Sequence, residues 1–217
     1  VKDRVILNGV AFDILKGSRT VLFGENGCGK TTLLRLISRL EKPTRGVILQ
    51  NIDDKFGQKS KQSKKWYKKV GVVYQNPDYQ LFMQTVEKEI KFGAKSDEYA
   101  DEIAEKFGIK HLYARHPQSL SEGQKRRVSI AAVVATDPEV LILDEPTVGQ
   151  DYKGLCEMVE VLNKLHEEAH NTMITVTHDK RCAAALCDKS VWIKNGKTYK
   201  TGGKELVDEF FIQIGVN

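Results

Sequence analysis

One run of eight residues has the composition of a phosphate-binding loop. The run Gly24-Glu25-Asn26-Gly27-Cys28-Gly29-Lys30-Thr31 fits G-x-x-x-x-G-K-[ST] and stands between a predicted strand and a predicted helix. Its glycines would let backbone N–H groups surround phosphate oxygens, and the following helix would direct its positive dipole end at the same anion. Lys30 would neutralise β- and γ-phosphate charge, and Thr31 would offer its hydroxyl to Mg²⁺. The flanking elements disfavour the alternative, a glycine-rich turn without a ligand.

Two adjacent carboxylates end a second apolar run. Val140–Leu143 predicts a strand, and Asp144 and Glu145 follow it directly. Because successive strand residues face opposite sides, the pair can divide two roles. Asp144 would hold Mg²⁺, while Glu145 would polarise the attacking water or accept its proton. A strand often ends in Asp before a turn, so this interpretation depends on the phosphate-binding loop upstream.

Two polar residues that follow other predicted strands could complete such a site. His178 follows Met173–Val176 and could contact the γ-phosphate or hold the water in line. The simpler alternative is a surface histidine with Asp179 as its local partner. Gln75 follows Val70–Tyr74, and its amide could reach the metal or the water, although a single Gln before a turn is otherwise ordinary.

The elements that must position these residues alternate between strand and helix. Two segments, Leu33–Leu40 and Leu155–Leu165, repeat apolar side chains with helical period. Residues 77–135 instead predict helices alone, including Asp97–Phe107. We therefore expect a mostly parallel α/β core of about residues 1–76 and 136–217, with a helical subdomain of about residues 77–135 inserted into it. Five apolar runs predict the strands: Thr20–Phe23, Val70–Tyr74, Leu141–Leu143, Met173–Val176 and Val191–Ile193.

Length, composition and charge exclude several classes of protein. A chain of 217 residues suits one domain, or a core with an inserted subdomain. The longest apolar stretch, Val128–Ala135, is far shorter than the roughly 18 residues of a membrane span, and no signal-peptide core follows the N-terminus, so we expect a cytoplasmic protein. Seven lysines in Lys55–Lys69 predict a solvated loop that could also touch phosphates or acidic lipids. The four cysteines include no CxxC pair and predict buried thiols.

Together these motifs resemble those of ABC-type ATPases. Leu120-Ser121-Glu122-Gly123-Gln124 is similar to the LSGGQ signature, and with Gly149-Gln150-Asp151 it occurs in the order and approximate spacing of that family. The resemblance implies a RecA-like P-loop NTPase core with a mostly parallel sheet and an inserted helical subdomain that carries the signature. It also implies that two ATPase subunits face head to tail, with each ATP between the P-loop of one and the signature of the other. Ser121 opens a predicted helix, so it is an ordinary N-cap as well as part of an anion-binding end.

The resemblance assigns each site residue a role. Glu145, His178 and Gln75 are implied in catalysis. Thr31, Gln75 and Asp144 are implied as ligands of Mg²⁺. The residues implied in ATP binding are Asn26, Gly27, Cys28, Gly29, Lys30, Thr31, Thr32, Ser121, Gly123, Gln124 and Asp151.

A narrower resemblance concerns the segment from Val72 to Phe82, which looks like the F-Q-N-P-D-x-Q-[LIF] segment of energy-coupling factor (ECF) importer ATPases. That group takes up cobalt, nickel and vitamins. It implies an ATPase at the cytoplasmic face of the membrane, attached to a transmembrane scaffold subunit and a separate substrate-binding subunit, with no nucleic acid. The alternative is a soluble ABC ATPase that acts on nucleic acid or ribosomes, but the sequence has neither a coiled-coil insertion nor a second cassette. A regulatory cassette without turnover is disfavoured by Glu145 and His178.

Three features depart from the family. Glu122 replaces the first signature Gly and places a negative charge near the partner's γ-phosphate, so we expect reduced activity. Little precedes Ile6, so we expect the N-terminal strand and the adenine-stacking aromatic to be missing or truncated. The chain also stops soon after the predicted helix Glu205–Ile214, where many ECF ATPases carry an extension.

Overall fold

The computed structural model describes residues 5–49, 66 and 68–215, and the strands found there form one six-stranded sheet in the order β2-β3-β4-β1-β5-β6. Every neighbouring pair is parallel except β5 and β6. This confirms the mostly parallel α/β fold. The strands are β1 (Arg19–Phe23), β2 (Val70–Val73), β3 (Val140–Asp144), β4 (Thr172–Val176), β5 (Lys189–Lys194) and β6 (Lys197–Gly202).

Strand β6 is absent from the sequence prediction. Its residues, Lys197–Gly202, are mostly polar, and it pairs with β5 alone at the edge of the sheet. Asn195 and Gly196 connect the two strands with φ of 50° and 71°, as a tight hairpin turn requires. An edge strand without an apolar run leaves no hydrophobic pattern to detect.

Helices occur where the sequence predicts them, and a further short helix at Lys180–Ala185 is absent from the sequence prediction. Helix α1 stops earlier than its periodicity suggests, because Arg39 adopts a left-handed conformation with φ of 62° and Leu40 is exposed. Residues 77–135, all of which are described, contain α2, α3 and α4 and no strand. The helices are α1 (Lys30–Ile37), α2 (Val86–Lys91), α3 (Asp97–Lys106), α4 (Glu122–Val134), α5 (Tyr152–Ala169), α6 (Lys180–Ala185) and α7 (Lys204–Gln213).

Apolar side chains cover both faces of the sheet. Leu22, Ile142 and Ile174 pack with α1 on one face, while a larger cluster on the other face extends through α5 and α7 and into α2, α3 and α4. Strands buried on both faces read as continuous apolar runs, which is why β1, β3 and β4 are visible in the sequence. No helix in the described part of the chain is both long and apolar enough to cross a membrane.

The structure also bears on three further expectations, which concern the lysine-rich loop, the cysteines and the N-terminal strand. The lysine-rich segment from Lys55 lies almost entirely outside the described residues, although Lys69 is described and pairs with Glu139 at 2.6 Å. All four cysteines are unpaired, and three are buried as predicted, whereas Cys156 is exposed on α5. Between Val5 and Ser18, a stretch that the structure describes, there is no strand.

Candidate nucleotide-binding and active site

The sheet brings the predicted site residues to one edge. Leu22 lies beside Val176, Asp144 lies beside the same residue of β4, and Val73 lies beside Leu143. The loops that follow β2, β3, β4 and β1 therefore leave the sheet next to one another, in that order. The carboxyl edge of a parallel sheet is where such folds bind their ligands.

The phosphate-binding loop depends on glycine at two positions, at Gly24 for a close backbone approach and at Gly29 for a left-handed backbone conformation. Gly24 has φ of 154°, and a Cβ there would lie 2.1 Å from the carbonyl oxygen of Ile193. Gly29 has φ of 106°, and its Cβ would lie 2.4 Å from Leu7 Cδ2. Gly29 caps α1 without a side-chain hydrogen bond, so the first N–H groups of the helix are left for an anion.

Lys30 bridges the loop from its far end. Its ammonium group donates to the carbonyl oxygens of Gly24 at 2.7 Å and Glu25 at 3.1 Å. These neutral acceptors hold the side chain across the loop in the position from which it can reach a phosphate. The other loop residues differ in exposure: Asn26, Gly27 and Thr31 are exposed, Thr32 is half-buried and Cys28 is buried.

Glu145 and His178 are in direct contact. The Glu145 carboxylate is 6% exposed, and its Oε2 accepts a hydrogen bond from the backbone N–H of His178 at 3.2 Å. Its Oε1 lies 2.9 Å from Nδ1 of the same histidine. Asp179 instead caps α6 and pairs with Arg181, so the simple surface pairing of His178 with Asp179 is wrong.

The backbone of Glu145 explains how this contact arises. Its φ is 53°, a left-handed value that non-glycine residues seldom adopt, and its N–H donates to the Val176 carbonyl at 2.8 Å. That bond continues the pairing of β3 with β4 one residue beyond Asp144. The turn therefore aims the carboxylate across β4 toward His178.

Asp144 is a buried carboxylate beside a second one. Burial, and then the negative charge of Glu145, raise the pKa of Asp144 to about 6, although Lys30, Arg126 and Arg35 oppose the shift. A carboxylate in such surroundings is short of positive charge, which a divalent cation would supply. Hard oxygen donors are those that Mg²⁺ prefers, and the Thr31 hydroxyl and the Gln75 amide offer two more. The residues present therefore fit a Mg²⁺ site.

The segment that carries Gln75 is held by side chains that sequence reasoning did not single out. Gln80 accepts from the Tyr74 N–H at 2.8 Å and donates to the Val72 carbonyl at 2.7 Å. Arg126, on α4, donates to the carbonyls of both Tyr74, at 2.7 Å, and Gln75. The Gln75 side chain itself is exposed. The backbone on either side of it is thus fixed from β2 and from the helical region together.

Beyond Gln75, a second buried charge anchors the aromatic end of the segment. Glu89 is 3% exposed, and its Oε2 accepts from the N–H groups of Phe82 at 2.8 Å and Met83 at 2.7 Å. Burial raises the pKa of Glu89, and these two hydrogen bonds only partly oppose it. Tyr79 and Phe82 are exposed, whereas Leu81 is buried and packs in the core. Of these three apolar side chains, only Tyr79 and Phe82 are available to a partner.

The signature residues form the N-terminus of α4, directly before Lys125 and Arg126. Ser121 caps the helix in a reciprocal arrangement with Gln124, and the Gly123 carbonyl accepts from Gln150 Nε2 at 2.9 Å. Asp151 caps α5 through a 2.7 Å bond from the Gly154 N–H. Within the described ranges, no hydrogen bond or ion pair joins Ser121, Gly123 or Gln124 to the phosphate-binding loop.

Comparison with known proteins decides the family. The family described as ABC transporter matches residues 7–148, more than half of the chain. The chain belongs to the ABC transporter family. The energy-coupling factor transporter ATP-binding protein EcfA2 of Bacillus subtilis is 40% identical over 92% of this ABC ATPase and 76% of that protein. The protein of the same name in Enterococcus faecalis is 41% identical over 89% of the chain and 71% of its own length.

Solved structures agree with this ABC ATPase in fold. The structure of cbiO1 from Clostridium perfringens, described as part of the ABC transporter complex cbiONQ, has a TM-score of 0.80 and 33% identity. That alignment covers 96% of this chain and 87% of the other. The dimeric cassette MJ0796 bound to ADP and Pi has a TM-score of 0.78 and 28% identity, over 92% and 90% of the two chains.

These similarities confirm both resemblances stated from the sequence. This chain is an ABC ATPase of the energy-coupling factor type, an enzyme that binds ATP and couples its hydrolysis to transport. Arg126 and Glu89 stand among other charged residues in α4 and α2, so their charge alone gives no signal. Only their spacing from buried apolar residues, with Glu89 three residues after Val86 and Arg126 four residues before Ile130, could have been noticed. Their periodic positions place them on inward faces, where a charge needs a partner.

Proposed function

We propose that this ABC ATPase hydrolyses Mg-ATP at the carboxyl edge of its sheet and thereby drives an ECF-type importer of vitamins or transition metals. The contact between the Glu145 carboxylate and His178 carries the proposal, because it supplies a held base at the same edge of the sheet as the phosphate-binding loop. Similarity to energy-coupling factor and cbiO proteins supports the importer over a soluble ATPase that acts on nucleic acid or ribosomes.

The residues from Asn26 to Thr32 would bind the phosphates through their N–H groups and the N-terminus of α1. Lys30 would exchange its two neutral carbonyl acceptors for phosphate oxygens, which are stronger acceptors. Asp144, Thr31 and Gln75 would hold Mg²⁺, which neutralises phosphate charge when bound.

Glu145 would accept the proton of the attacking water. Its contact with Nδ1 fixes the imidazole ring of His178. Because the carboxylate accepts from Nδ1–H, Nε2 would donate toward a γ-phosphate oxygen when both ring nitrogens carry a hydrogen. Gln75 would contribute its exposed amide from the opposite side, next to Asp144 in the order of the sheet. Burial of the carboxylate keeps competing water away from the proton acceptor.

A second ATPase would supply the rest of the site. The helix N-terminus formed by Ser121, Gly123 and Gln124 could bind an anion. Within the described part of the chain, it does not contact the phosphate-binding loop of the same chain. Asp151 lies beside Gln150, which is hydrogen-bonded to Gly123. We propose a head-to-tail pair, identical or unlike, in which residues 77–135 move as one helical subdomain. The structure of the similar cassette MJ0796 is described as dimeric.

A transmembrane scaffold subunit would dock on the segment Gln75–Phe82. Tyr79 is 80% exposed and Phe82 is 66% exposed, large fractions for aromatic side chains. A shallow cavity of about 340 Å³ adjoins the segment, lined by Arg35, Leu40, Glu41, Tyr74 and Tyr79. Docking there would place the chain at the cytoplasmic face of the membrane, with a separate membrane subunit selecting the cargo.

The experiment that tests the shared site mixes two inactive chains. A Ser121→Arg chain and a Lys30→Ala chain should regain ATPase activity when combined, because one composite site of the heterodimer keeps both intact halves. Ser119→Arg is the matched control, since Ser119 is exposed two residues upstream and should not inactivate the chain. Should the native partner be a different ATPase, each variant is assembled with it, and trapped nucleotide is expected in the one unaffected site. No recovery in either format would contradict the proposal.

A further inference from the structure

Glu122 is the feature of the signature that the proposed function does not explain. It occupies the first turn of α4, where a carboxylate favours the helix dipole and would compete with a phosphate for the same N–H groups. Its side chain is 68% exposed, so packing does not hold it in place. Something else must keep this carboxylate from the anion-binding end.

Lys125 is the charged group that contacts it. The Lys125 ammonium lies 3.4 Å from Glu122 Oε1 and 2.9 Å from Asp78 Oδ1. The Lys125 side chain is only 9% exposed, so its position is far better fixed than that of either carboxylate. The Glu122 carboxylate is therefore drawn toward Lys125, one turn further along the helix, and away from the Ser121 cap.

We propose that Lys125 is a positioning residue that holds the Glu122 carboxylate away from the signature's anion-binding end. This inference rests on the proposed function, since it takes the signature to receive the γ-phosphate of an ATP bound to the opposite subunit. Released from Lys125, the Glu122 side chain could turn back over the helix N-terminus and repel that phosphate. The pair therefore lets a signature that contains a carboxylate still bind ATP.

A direct attraction between Lys125 and phosphate does not explain the arrangement equally well. Asp78 lies closer to the ammonium than Glu122 does and offsets most of its charge. A different role is that Lys125 serves only to fix Asp78, and with it the segment after Gln75. If Lys125 positions Glu122, the effect of removing Lys125 depends on Glu122. If Lys125 only fixes Asp78, the effect depends on Asp78.

A double-mutant cycle separates these roles. Lys125→Met keeps the apolar stem and removes the charge, and it is combined with Glu122→Gln and, separately, with Asp78→Asn. ATPase rates are measured against ATP concentration in the assembled dimer. We expect Lys125→Met to raise KM on the order of tenfold when Glu122 is present and about twofold or less in the Glu122→Gln background. The difference should shrink at high ionic strength.

Equal effects of Lys125→Met with Glu122 present and in the Glu122→Gln background would overturn the proposal, as would an effect that disappears only with Asp78→Asn. Thermal unfolding of each variant identifies changes that come from lost folding. Lys30→Ala measured alongside distinguishes failure of this inference from failure of the proposed function. Turnover insensitive to Lys30→Ala would contradict the proposed site, whereas a normal Lys30 effect with no Glu122–Lys125 coupling would contradict this inference alone.

Discussion

Two regions of the site are held in place differently: the phosphate edge, which comprises the phosphate-binding loop, Asp144 and Glu145, by backbone pairing, and the segment from Gln75 to Met83 by side-chain contacts. Paired parallel strands place the phosphate-binding loop, Asp144 and Glu145, and even the unusual turn at Glu145 is fixed by a backbone bond to Val176. The other segment is held by side chains: its own Gln80 bonds back to β2, Glu89 of α2 accepts from its backbone, and Lys125 and Arg126 of α4 bond to it. Backbone pairing makes the reacting groups rigid relative to one another.

This difference separates chemistry from coupling. Lys125 and Arg126 both lie on α4, so a displacement of α4 would carry the backbone at Gln75 with it while the phosphate edge stays in place. Substitutions at the phosphate edge should therefore change turnover or nucleotide affinity. Substitutions from Asn76 to Met83 should change stability or the coupling of hydrolysis to transport, whereas Gln75 itself, a proposed ligand of Mg²⁺, links the two regions.

The largest effect is expected for Glu145→Gln. Turnover should fall about 10²- to 10⁴-fold, because an amide cannot take the proton of the water, while ATP binding persists. Phosphate release and equilibrium ATP binding measure the two quantities. Glu139→Gln is the control, since this exposed Glu lies beside the start of the same strand and pairs with Lys69. Equal turnover in wild type and Glu145→Gln would show that another group is the base.

The next effect is on affinity, at Lys30. Lys30→Ala should weaken ATP binding roughly 10- to 100-fold through the loss of a charged hydrogen bond, with little change in melting temperature. Lys42→Ala, which removes an exposed lysine outside the loop, should bind ATP normally. A Lys30→Ala chain with undiminished affinity would indicate that nucleotide binds elsewhere.

A smaller effect, on stability, is expected at Glu89. Glu89→Leu leaves the N–H groups of Phe82 and Met83 without their acceptor and should lower the free energy of unfolding by about 1–3 kcal/mol. Glu89→Gln keeps an acceptor oxygen and should cost less. Urea unfolding of the two variants gives the comparison, and equal losses would mean that the acceptor is unimportant.

The same residue predicts a pH dependence of stability. Burial raises the pKa of Glu89 above its ordinary 4.5, so the folded chain binds this proton more tightly than the unfolded chain does. Its contribution is fully present below pH 4.5 and is lost as the pH rises through the raised pKa. Asp144 acts with the same sign, so the Glu89 share is the part of the decline that Glu89→Gln removes. Identical profiles of unfolding free energy against pH in wild type and Glu89→Gln would contradict this assignment to Glu89.

The smallest change in stability is expected where side chains are exposed. Tyr79→Ser with Phe82→Ser should alter the free energy of unfolding by about 1 kcal/mol or less and leave ATP binding intact, yet reduce transport per ATP hydrolysed in the reconstituted importer. Leu81→Ser, between them but buried, should cost about 2–5 kcal/mol. Unchanged transport in the double variant would place the coupling surface elsewhere.

The parts that could be predicted from the sequence are those with local patterns. Buried parallel strands such as Leu141–Leu143 are continuous apolar runs, and the polar residue after each run marks the sheet edge where ligands bind. The phosphate-binding loop is recognised from its local residue pattern, although the close approach of the Ile193 carbonyl that requires glycine at Gly24 comes from a distant segment. The patterns that reveal these features lie between neighbours along the chain.

The sequence by itself therefore determined the alternation of strands and helices along the chain, the phosphate-binding loop and the paired carboxylates. Only the tertiary structure decided which polar groups are buried together. Arg126 meets the Tyr74 carbonyl across 52 residues, Lys125 meets Asp78 across 47, and His178 meets Glu145 rather than its neighbour Asp179. Periodicity assigns a face to a side chain, but its partner depends on how distant segments pack, and burial makes that partner obligatory for a charge.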